Sequence, residues 1–415
     1  MVQLKAAACK VDITPKSGYV VESKLYARIL LLDVDGATAA IVSLDSCFAH
    51  DTLFCHKCRY SYPFSGEVLP IPPTLEPDAR KKWAEAVGDP KPKEPQRLFV
   101  SATHTHAAAP AIGGDATEEI RKAIETAKNK LRPATLLLAR KAGPGPRLAR
   151  LRRPDLRPQS PGAYPIDDTL VALYVRCDPE GALISLIANH GIHGTLWSES
   201  ARLSPDFMGE AMLQVEDDCR DTAHIVETIP LFLQGCCGDV GVVYPEPESR
   251  RSDYGAVRDW GGYLRNHIWL GNPVAVPLQP VPLRTAQSTV WPTIRPYYGV
   301  ESKTPVPKPS IVVSGIRFAQ ETVLLGVSGE LFSDYRAKIC EWAAAAPFSL
   351  PHVIVGGLVN GYSGYIPTRI DFNERAVWDK AGAHDGYEMS VTPYTAAIED
   401  ELRAGVTDVL KQLTS

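Results

Sequence analysis

Segment 98–106 (LFVSATHTH) ends in two histidines one residue apart and is the first candidate for chemistry in this chain. Its apolar start predicts the end of a buried strand. Because side chains two apart in an extended strand point to the same side, His104 and His106 are expected to face the same way. Imidazole is the commonest metal ligand, and a loop at a strand end is a usual place for functional groups. A polar strand edge can carry the same pattern, so the interpretation depends on the segments that follow.

Four further segments each have an apolar strand that ends in polar residues of catalytic types. They are residues 189–195, 234–239, 328–330 and 360–365. Strand ends at one edge of a sheet converge, and open α/β sheets bind ligands there. Histidines and a carboxylate arriving from different strands are what a zinc site with an open position requires. The sequence therefore makes His104, His193 and Glu330 candidate metal ligands.

The composition is that of a soluble globular protein rather than a nucleic-acid-binding or membrane protein. The 415 residues are 45% hydrophobic and 22% charged, with a net charge of −4. Nothing in this balance favours nucleic acid or an anionic membrane surface as a partner, and no apolar run approaches the ~20 residues of a membrane span. No secretory signal follows Met1, so we expect a cytoplasmic protein. Nine cysteines are too few for a disulfide framework.

Strands that alternate with helices must position these residues. Strand patterns are predicted at 28–34, 39–44, 170–175, 183–188, 310–318 and 322–327, and helices at 115–131, from Ser204 onward, at 331–345 and at 393–413. Asp115 with Glu118 suggests a capping box, and Ser204 with Pro205 suggests a helix start. We predict a single α/β domain over 1–415, with a layered mixed β-sheet core flanked by helices.

Two proline-rich stretches, at about 51–95 and 271–309, are predicted to be loop-rich insertions with edge strands. Aromatic residues are interleaved in both: Tyr60, Tyr62, Phe64, Trp291, Tyr297 and Tyr298. The insertions could form the walls of a pocket for a partly apolar ligand. It is an equal alternative that they are solvent-exposed loops without a functional role.

Taken in order, these segments resemble the catalytic domain of the neutral/alkaline non-lysosomal ceramidase family of zinc amidases. The match runs through VDITP at 11–15, VSLD at 42–45, SATHTH at 101–106, the run ending HGT at 193–195, LSPDF at 203–207, GD at 238–239, GE at 329–330 and the pair Tyr362 and Tyr365. The set covers nearly the whole chain, and its order is far more specific than any single motif.

The resemblance implies four zinc ligands and three residues beside the metal. The implied ligands are His104, His193, Glu330 and Tyr365, and the implied neighbours are His106, Arg152 and Tyr387. His106 would act as a proton shuttle or hydrogen-bond donor, while Arg152 and Tyr387 would hold the oxyanion. From the residues alone, Tyr365 and Tyr387 could be structural tyrosines and Arg152 part of a solvated basic loop. His190, Asp206 and Asp239 are expected to be supporting residues or helix caps.

Three departures from the family pattern bear on mechanism and substrate. Gly241 stands where the ceramidases carry a serine once argued to be a nucleophile, so a zinc–water mechanism is expected rather than a serine acyl-enzyme. Leu151 replaces the asparagine before the active-site arginine. The chain ends at Ser415 without the C-terminal immunoglobulin-like domain of secreted ceramidases. Together with the missing signal, this leads us to expect a soluble amide substrate and no stable membrane association.

The predicted function is zinc-dependent hydrolysis of the amide bond of a soluble N-acyl small molecule. The alternatives are a true ceramidase, an ester or lactone hydrolase on the same zinc site, a non-catalytic zinc-binding module and a metal-independent serine or cysteine hydrolase. For the last, GVSGE at 326–330 lacks the final glycine of a nucleophile elbow. Cys55 and Cys58 are expected to be reduced thiols on a surface loop. Cys236 and Cys237 are expected to fill space as a small apolar pair.

Overall fold

The structure is a computed structural model that describes the helices, the strands and many of the loops between them. The residues described are 2–51, 54–55, 70–71, 73–90, 96–108, 112, 114–145, 149–151, 167–197, 202–220, 227–244, 253–269, 275–295, 308–372, 388–389 and 392–415. None of the helices within these ranges is long and apolar enough to cross a membrane.

Short strands and medium-length helices follow one another along the chain. The strands are β1 (Leu4–Asp12), β2 (Val20–Val21), β3 (Tyr26–Val34), β4 (Ala37–Leu44), β5 (Phe54–Cys55), β6 (Pro70–Ile71), β7 (Leu98–Ala102), β8 (Arg132–Ala142), β9 (Ala149–Leu151), β10 (Thr169–Cys177), β11 (Leu183–His190), β12 (Arg202–Leu203), β13 (Ile229–Gln234), β14 (Val240–Val242), β15 (Val276–Leu278), β16 (Pro280–Val290), β17 (Ile311–Ala319), β18 (Thr322–Val327), β19 (Glu330–Leu331), β20 (His352–Gly356) and β21 (Tyr365–Ile366). The helices are α1 (Ala79–Val87), α2 (Gly114–Lys128), α3 (Asp206–Arg220), α4 (Tyr254–Trp269), α5 (Asp334–Ala344) and α6 (Ile398–Thr414).

Two mixed sheets form the β core. The larger has nine strands in the order β13-β11-β10-β8-β1-β3-β4-β7, with β15 beside β8. Among the described residues, its two halves join through a short pairing of β1 with β8 at Lys5 and Ala6. The smaller sheet has the order β16-β17-β18-β20. Most neighbours are antiparallel, but three pairs are parallel: β4 with β7, β11 with β13, and β18 with β20.

Helices cover the outer faces of these sheets, and their inner faces share one apolar cluster. Alternate residues of β3 show the division: Ile29 and Leu31 pack with α1 and α2, whereas Leu30 and Leu32 point into the shared cluster. Because both faces of β3 are covered, the strand is almost continuously apolar. The shared cluster, hereafter the central cluster, includes Leu30, Leu32, Phe99, Leu173, Leu231, Ile316, Leu324 and Ile354. The layered α/β fold predicted from the sequence is confirmed, with two sheets in the core instead of one.

The sheets approach closely at Phe99, which is fully buried on β7. A Cβ atom added to Gly326 would lie 2.6 Å from the Phe99 ring, and one added to Gly356 would lie 3.2 Å from it. Glycines on β18 and β20 therefore leave the space into which this ring packs. This contact ties the end of β7 to the parallel pair of the smaller sheet.

Several element boundaries differ from the predictions. Helix α2 begins at Gly114, so Asp115 lies inside its first turn and pairs with Lys16 instead of forming a capping box. Helix α6 begins at Ile398 rather than 393, and α5 begins at Asp334 rather than 331. Leu331 has the apolar spacing of the helix that follows it, but it pairs as a strand in β19.

The two proline-rich stretches contain regular structure. The first contains α1, whose Trp83 is fully buried and donates its indole N–H to the carbonyl of Thr117 at 2.9 Å. That part of the stretch belongs to the core rather than to a loop. The second supplies β16, which is an edge strand as expected. Of the interleaved aromatic residues, Trp291 is described and is 62% exposed. Tyr60, Tyr62, Phe64, Tyr297 and Tyr298 lie outside the described residues.

Candidate metal centre

The ends of the three parallel strand pairs meet at one place. His104 follows β7 by two residues, and His193 and Glu330 follow β11 and β18 by three residues each. Short bridges between these segments hold them together: Thr105 pairs with Gly194, and the carbonyl of Gly194 accepts the backbone N–H of His106 at 3.0 Å. The convergence expected from the sequence is therefore observed, although the residues come from two sheets.

Three donor atoms of these residues form a nearly equilateral triangle. His104 Nε2 lies 3.1 Å from His193 Nε2, and each of the two nitrogens lies 3.3 Å from Glu330 Oε2. All three side chains are at most 1% exposed. In a tetrahedral zinc site with metal–ligand distances of ~2.0–2.1 Å, two ligand atoms are about 3.3–3.4 Å apart. The separations thus match one face of such a tetrahedron.

Backbone carbonyls fix the ring orientation of both histidines. The carbonyl of Cys47 accepts a hydrogen bond from His104 Nδ1 at 2.8 Å, and the carbonyl of Cys237 accepts one from His193 Nδ1 at 2.9 Å. A histidine that donates from Nδ1 presents a lone pair on Nε2 once the second proton is lost. Both lone pairs then face the Glu330 carboxylate. Three electron-pair donors directed at one point are the arrangement that a cation satisfies.

Glu330 uses its two oxygens differently. Tyr362 donates its hydroxyl to Oε1 at 2.8 Å, whereas Oε2 is buried and accepts no hydrogen bond within the described part of the chain. Burial tends to raise the pKa of this carboxyl group, but the adjacent imidazoles of His104 and His193 lower it well below its usual range. A buried, ionised oxygen without a hydrogen-bond donor fits a metal ligand. The residues present therefore fit a zinc ion.

The backbone at His104 is not extended as predicted. Strand β7 ends at Ala102, and His104 has φ of 69°, in the left-handed region that non-glycine residues seldom adopt. Its N–H donates to the carbonyl of Ser46 at 3.0 Å, which holds this turn in place. His104 and His106 nevertheless lie close together, with ring centroids 4.6 Å apart. The turn, rather than strand alternation, brings them to the same region.

His106 lies at the rim of the site. It is exposed, while His104 and His193 are buried beneath it. Its Nδ1 lies 3.2 Å from the carbonyl oxygens of His104 and Gly194, so Nδ1–H is the donor and Nε2 points away from these carbonyls. This position agrees with a residue beside the metal rather than a ligand of it.

Tyr365 lies next to Glu330, and its role as a ligand stays a prediction. The two residues pair in the short parallel ribbon of β19 and β21, so their side chains leave the same face. Tyr365 is 4% exposed. The role of Tyr362 as a donor to Glu330 was not predicted. The Tyr-x-x-Tyr spacing singled out the pair, but it does not show which hydroxyl faces the carboxylate.

The two oxyanion-binding candidates, Arg152 and Tyr387, lie outside the described residues. The backbone on either side of them is described in part. Strand β9 ends at Leu151, which pairs with Val240 two residues after Gly238. Arg152 therefore directly follows β9 in sequence, and β9 pairs with β14 just after the Gly238 turn. The assignments of Arg152 and Tyr387 stay predictions.

The supporting residues lie as expected. Asp239 accepts hydrogen bonds from the backbone N–H and the hydroxyl of Ser333, at the start of α5. Asp206 accepts backbone N–H groups of Leu196, Trp197 and Phe207, and burial raises its pKa to about 6. His190 turns away from the centre, with its Nε2 3.3 Å from Asp168. Ser204 accepts the N–H of Asp206, although α3 begins at Asp206 rather than at Pro205.

Gln234 is a supporting residue that sequence reasoning did not single out. Its amide nitrogen donates to the carbonyls of Thr103 and Ile192, the residues immediately before His104 and His193, at 3.2 and 2.7 Å. Its side-chain oxygen accepts the N–H of Ile192 at 3.3 Å. One buried amide therefore links the His104 and His193 segments. Its position at the end of an apolar strand is the signal that could have identified it.

The adjacent cysteines have different surroundings. Cys236 packs in an apolar cluster with Tyr335 and Val355, as predicted for a space-filling residue, and burial raises the pKa of its thiol well above the usual range. Cys237 is also fully buried, but its Sγ lies within 4.8 Å of the donor atoms of His104, His193 and Glu330, so its role as a space-filling residue stays a prediction. In the first proline-rich stretch, Cys58 and the side chain of Cys55 lie outside the described residues.

Metal binding to this centre is expected to strengthen with pH. Burial lowers the pKa of His104, but the Glu330 carboxylate and Cys47 beside it raise that pKa to about 10 in the metal-free protein. Zinc must therefore displace a proton from His104, and this proton alone should make log K rise by about one per pH unit between about 7 and 9. Competition with a chelator, corrected for the chelator's own protonation, measures this slope. A slope near zero would contradict the assignment of His104.

Solved structures of other proteins share the fold of this chain. No protein-family model matches the chain, and no curated protein sequence matches it. Among solved structures, the neutral ceramidase from Pseudomonas aeruginosa is similar, with a TM-score of 0.73 and 17% identity over 100% of this chain and 76% of that chain. A ceramidase complexed with C2 gives a TM-score of 0.73 and 17% identity over 99% and 75% of the two chains. The resemblance inferred from the motifs is thus confirmed at the level of the fold.

Proposed function

We propose that this chain is a zinc-dependent amidohydrolase that cleaves the amide bond of a soluble N-acyl small molecule. The observation that carries the proposal is the buried triangle of His104 Nε2, His193 Nε2 and Glu330 Oε2. The fold shared with neutral ceramidase structures supports it, since ceramidases cleave an amide. A true ceramidase and an ester or lactone hydrolase remain alternatives on the same site, because all three substrates present a carbonyl carbon to one nucleophile.

A zinc ion held by these residues would lower the pKa of a bound water to about 7 and polarise the amide carbonyl. The protein itself orients the three side chains that would hold the metal. Cys47 and Cys237 hold the two imidazoles through their carbonyl oxygens, and Tyr362 holds the carboxylate of Glu330. Because all three ligand side chains are fixed by buried hydrogen bonds, little reorganisation is needed when the substrate binds.

Proton transfer to the leaving amine is assigned to His106. Its Nδ1–H is held by the carbonyls of His104 and Gly194, which leaves Nε2 directed away from them at the exposed rim. An imidazole placed there can deliver a proton to the departing nitrogen near neutral pH. Arg152 and Tyr387 are proposed to stabilise the developing oxyanion, each contributing about 10²–10³-fold to turnover.

The proposal predicts metal-dependent amide hydrolysis. The assay is release of free amine from a panel of N-acyl amines, with short-chain and long-chain ceramides and matched esters alongside. We expect turnover of at least one amide that is lost on dialysis against a chelator and restored by stoichiometric zinc. Turnover that survives chelation but is lost on thiol alkylation would instead favour the cysteine hydrolase. No turnover of any amide or ester by the zinc-loaded protein would favour the non-catalytic zinc-binding module.

A further inference from the structure

We propose that Cys237 is itself a ligand of this metal, through its thiolate sulfur, so that the donor set is His104, His193, Glu330 and Cys237. The inference rests on the metal centre of the proposed function but not on the amidase reaction. It also goes beyond the resemblance, which implies a tyrosine rather than a sulfur in the ligand set.

The position of the sulfur carries the proposal. Cys237 is 0% exposed, and its Sγ and the donor atoms of His104, His193 and Glu330 all lie within 4.8 Å of one another. In a tetrahedral site with Zn–S of ~2.3 Å and Zn–N of ~2.0–2.1 Å, sulfur and nitrogen are about 3.5 Å apart. The sulfur therefore lies at most about 1.3 Å beyond the distance that shared ligation requires. Glu330 Oε2, which accepts no hydrogen bond among the described residues, points into the same space.

The backbone fixes Cys237 beside Glu330. The N–H of Gly238 donates to the carbonyl of Leu331 at 2.8 Å, and the carbonyl of Cys237 accepts His193 Nδ1. A Cβ atom at Gly238 would lie 2.5 Å from the carbonyl oxygen of Glu330. The absence of a side chain at Gly238 therefore allows this turn to pack closely against the backbone of β19. As a result, the backbone at Cys237 is tied to the segments that carry His193 and Glu330.

The chemistry of the cluster favours a thiolate. A neutral thiol is only a weak hydrogen-bond donor, whereas its thiolate is a strong ligand for a metal held by His104, His193 and Glu330. When the metal binds, a metal–sulfur bond forms and the thiol proton leaves to solvent. A thiolate added to two imidazoles and a carboxylate selects a borderline-soft ion such as Zn²⁺ or Co²⁺ over Mg²⁺ or Ca²⁺. Cys237 would take the position that the resemblance assigns to Tyr365, and the water of the proposed function would then bind as a fifth ligand.

Cobalt substitution tests the proposal by a signal that does not depend on activity. A thiolate ligand to Co²⁺ produces an intense charge-transfer absorption in the near ultraviolet, which nitrogen and oxygen ligands do not. We expect this band in the Co²⁺-loaded protein and its loss in Cys237→Ser. Cys236→Ser is the matched control, because that neighbour is equally buried and faces the apolar cluster. Tyr365→Phe and Cys47→Ser should also keep the band.

The outcomes separate this inference from the proposed function. If the folded wild-type protein binds one equivalent of Co²⁺ without the band, the cysteine assignment is overturned and the metal centre stands. If the folded protein binds no metal, the proposed function fails with it. A band lost in Cys47→Ser and kept in Cys237→Ser also overturns the assignment. Should Cys237→Ser not fold, X-ray absorption of the zinc-loaded wild type decides, with a sulfur scatterer at ~2.3 Å expected.

Discussion

Replacing Glu330 with glutamine is expected to weaken zinc binding by about 10²–10³-fold and to abolish amide hydrolysis at submicromolar zinc. Structural zinc sites bind with about 10–16 kcal/mol, so one of roughly four ligands accounts for about 3–4 kcal/mol. Glu330 supplies the only carboxylate within the described donor triangle. Glutamine keeps the size and can still accept the Tyr362 hydrogen bond, but its amide group is neutral and a poor ligand.

The control for this variant is Glu210→Gln. Glu210 is also a buried glutamate, 6% exposed, and its carboxylate accepts a tyrosine hydroxyl, that of Tyr254, at 2.7 Å. Because it lies on α3 and not in the donor triangle, its replacement should leave zinc affinity unchanged. Zinc affinity is measured by chelator competition and activity by amine release. Equal zinc affinity of Glu330→Gln and the wild type would show that Glu330 is not a ligand.

Gly194→Ala is expected to disrupt the site by displacing the backbone of His104, without removing any proposed ligand. A Cβ atom at this position would lie 2.5 Å from Met208 Cε and 2.6 Å from the carbonyl oxygen of His104. The methionine side chain can move, but the His104 backbone is held in a left-handed turn and must shift with its imidazole. We expect a loss of stability of about 1–3 kcal/mol from overpacking and a loss of metal affinity of about 10–100-fold.

Gly262→Ala provides the matched comparison for this substitution. At Gly262, on α4, the nearest atom to an added Cβ is the end of the flexible Gln214 side chain at 3.1 Å. Alanine in a helix is favoured over glycine, so a change between neutral and about 1 kcal/mol more stable is expected. Thermal unfolding and chelator competition measure both variants. Wild-type metal affinity in a folded Gly194→Ala protein would contradict the account of how His104 is positioned.

The three residues of the donor triangle could be grouped from the sequence because each lies just beyond an apolar strand. Parallel strands place their carboxyl ends together, so His104, His193 and Glu330 could be grouped before any coordinates. The prediction that His104 and His106 lie in an extended strand was wrong, however, because β7 ends at Ala102. The left-handed backbone of His104 depends on a hydrogen bond to Ser46, a residue far away in sequence. Such a tertiary constraint leaves no local signal in the chain.

The different surroundings of the neighbouring Cys236 and Cys237 could not be predicted from the sequence either. Cys236 and Cys237 are identical in type, and composition alone treats them as one apolar pair. The turn after β13 points one into an apolar cluster and the other toward the metal ligands. Similarly, the fully buried Trp83 of α1 lies in a stretch that proline content marks as loop. In each case tertiary packing, rather than local preference, determines the environment.

Anomalous X-ray scattering across the zinc absorption edge tests the central claim most directly. Crystals would be grown from protein purified without added metal and without chelator. One zinc peak is predicted, about 2.0–2.1 Å from His104 Nε2, His193 Nε2 and Glu330 Oε2. No peak at this position in folded protein soaked with zinc, or a peak held by other residues, would contradict the metal centre and the function built on it.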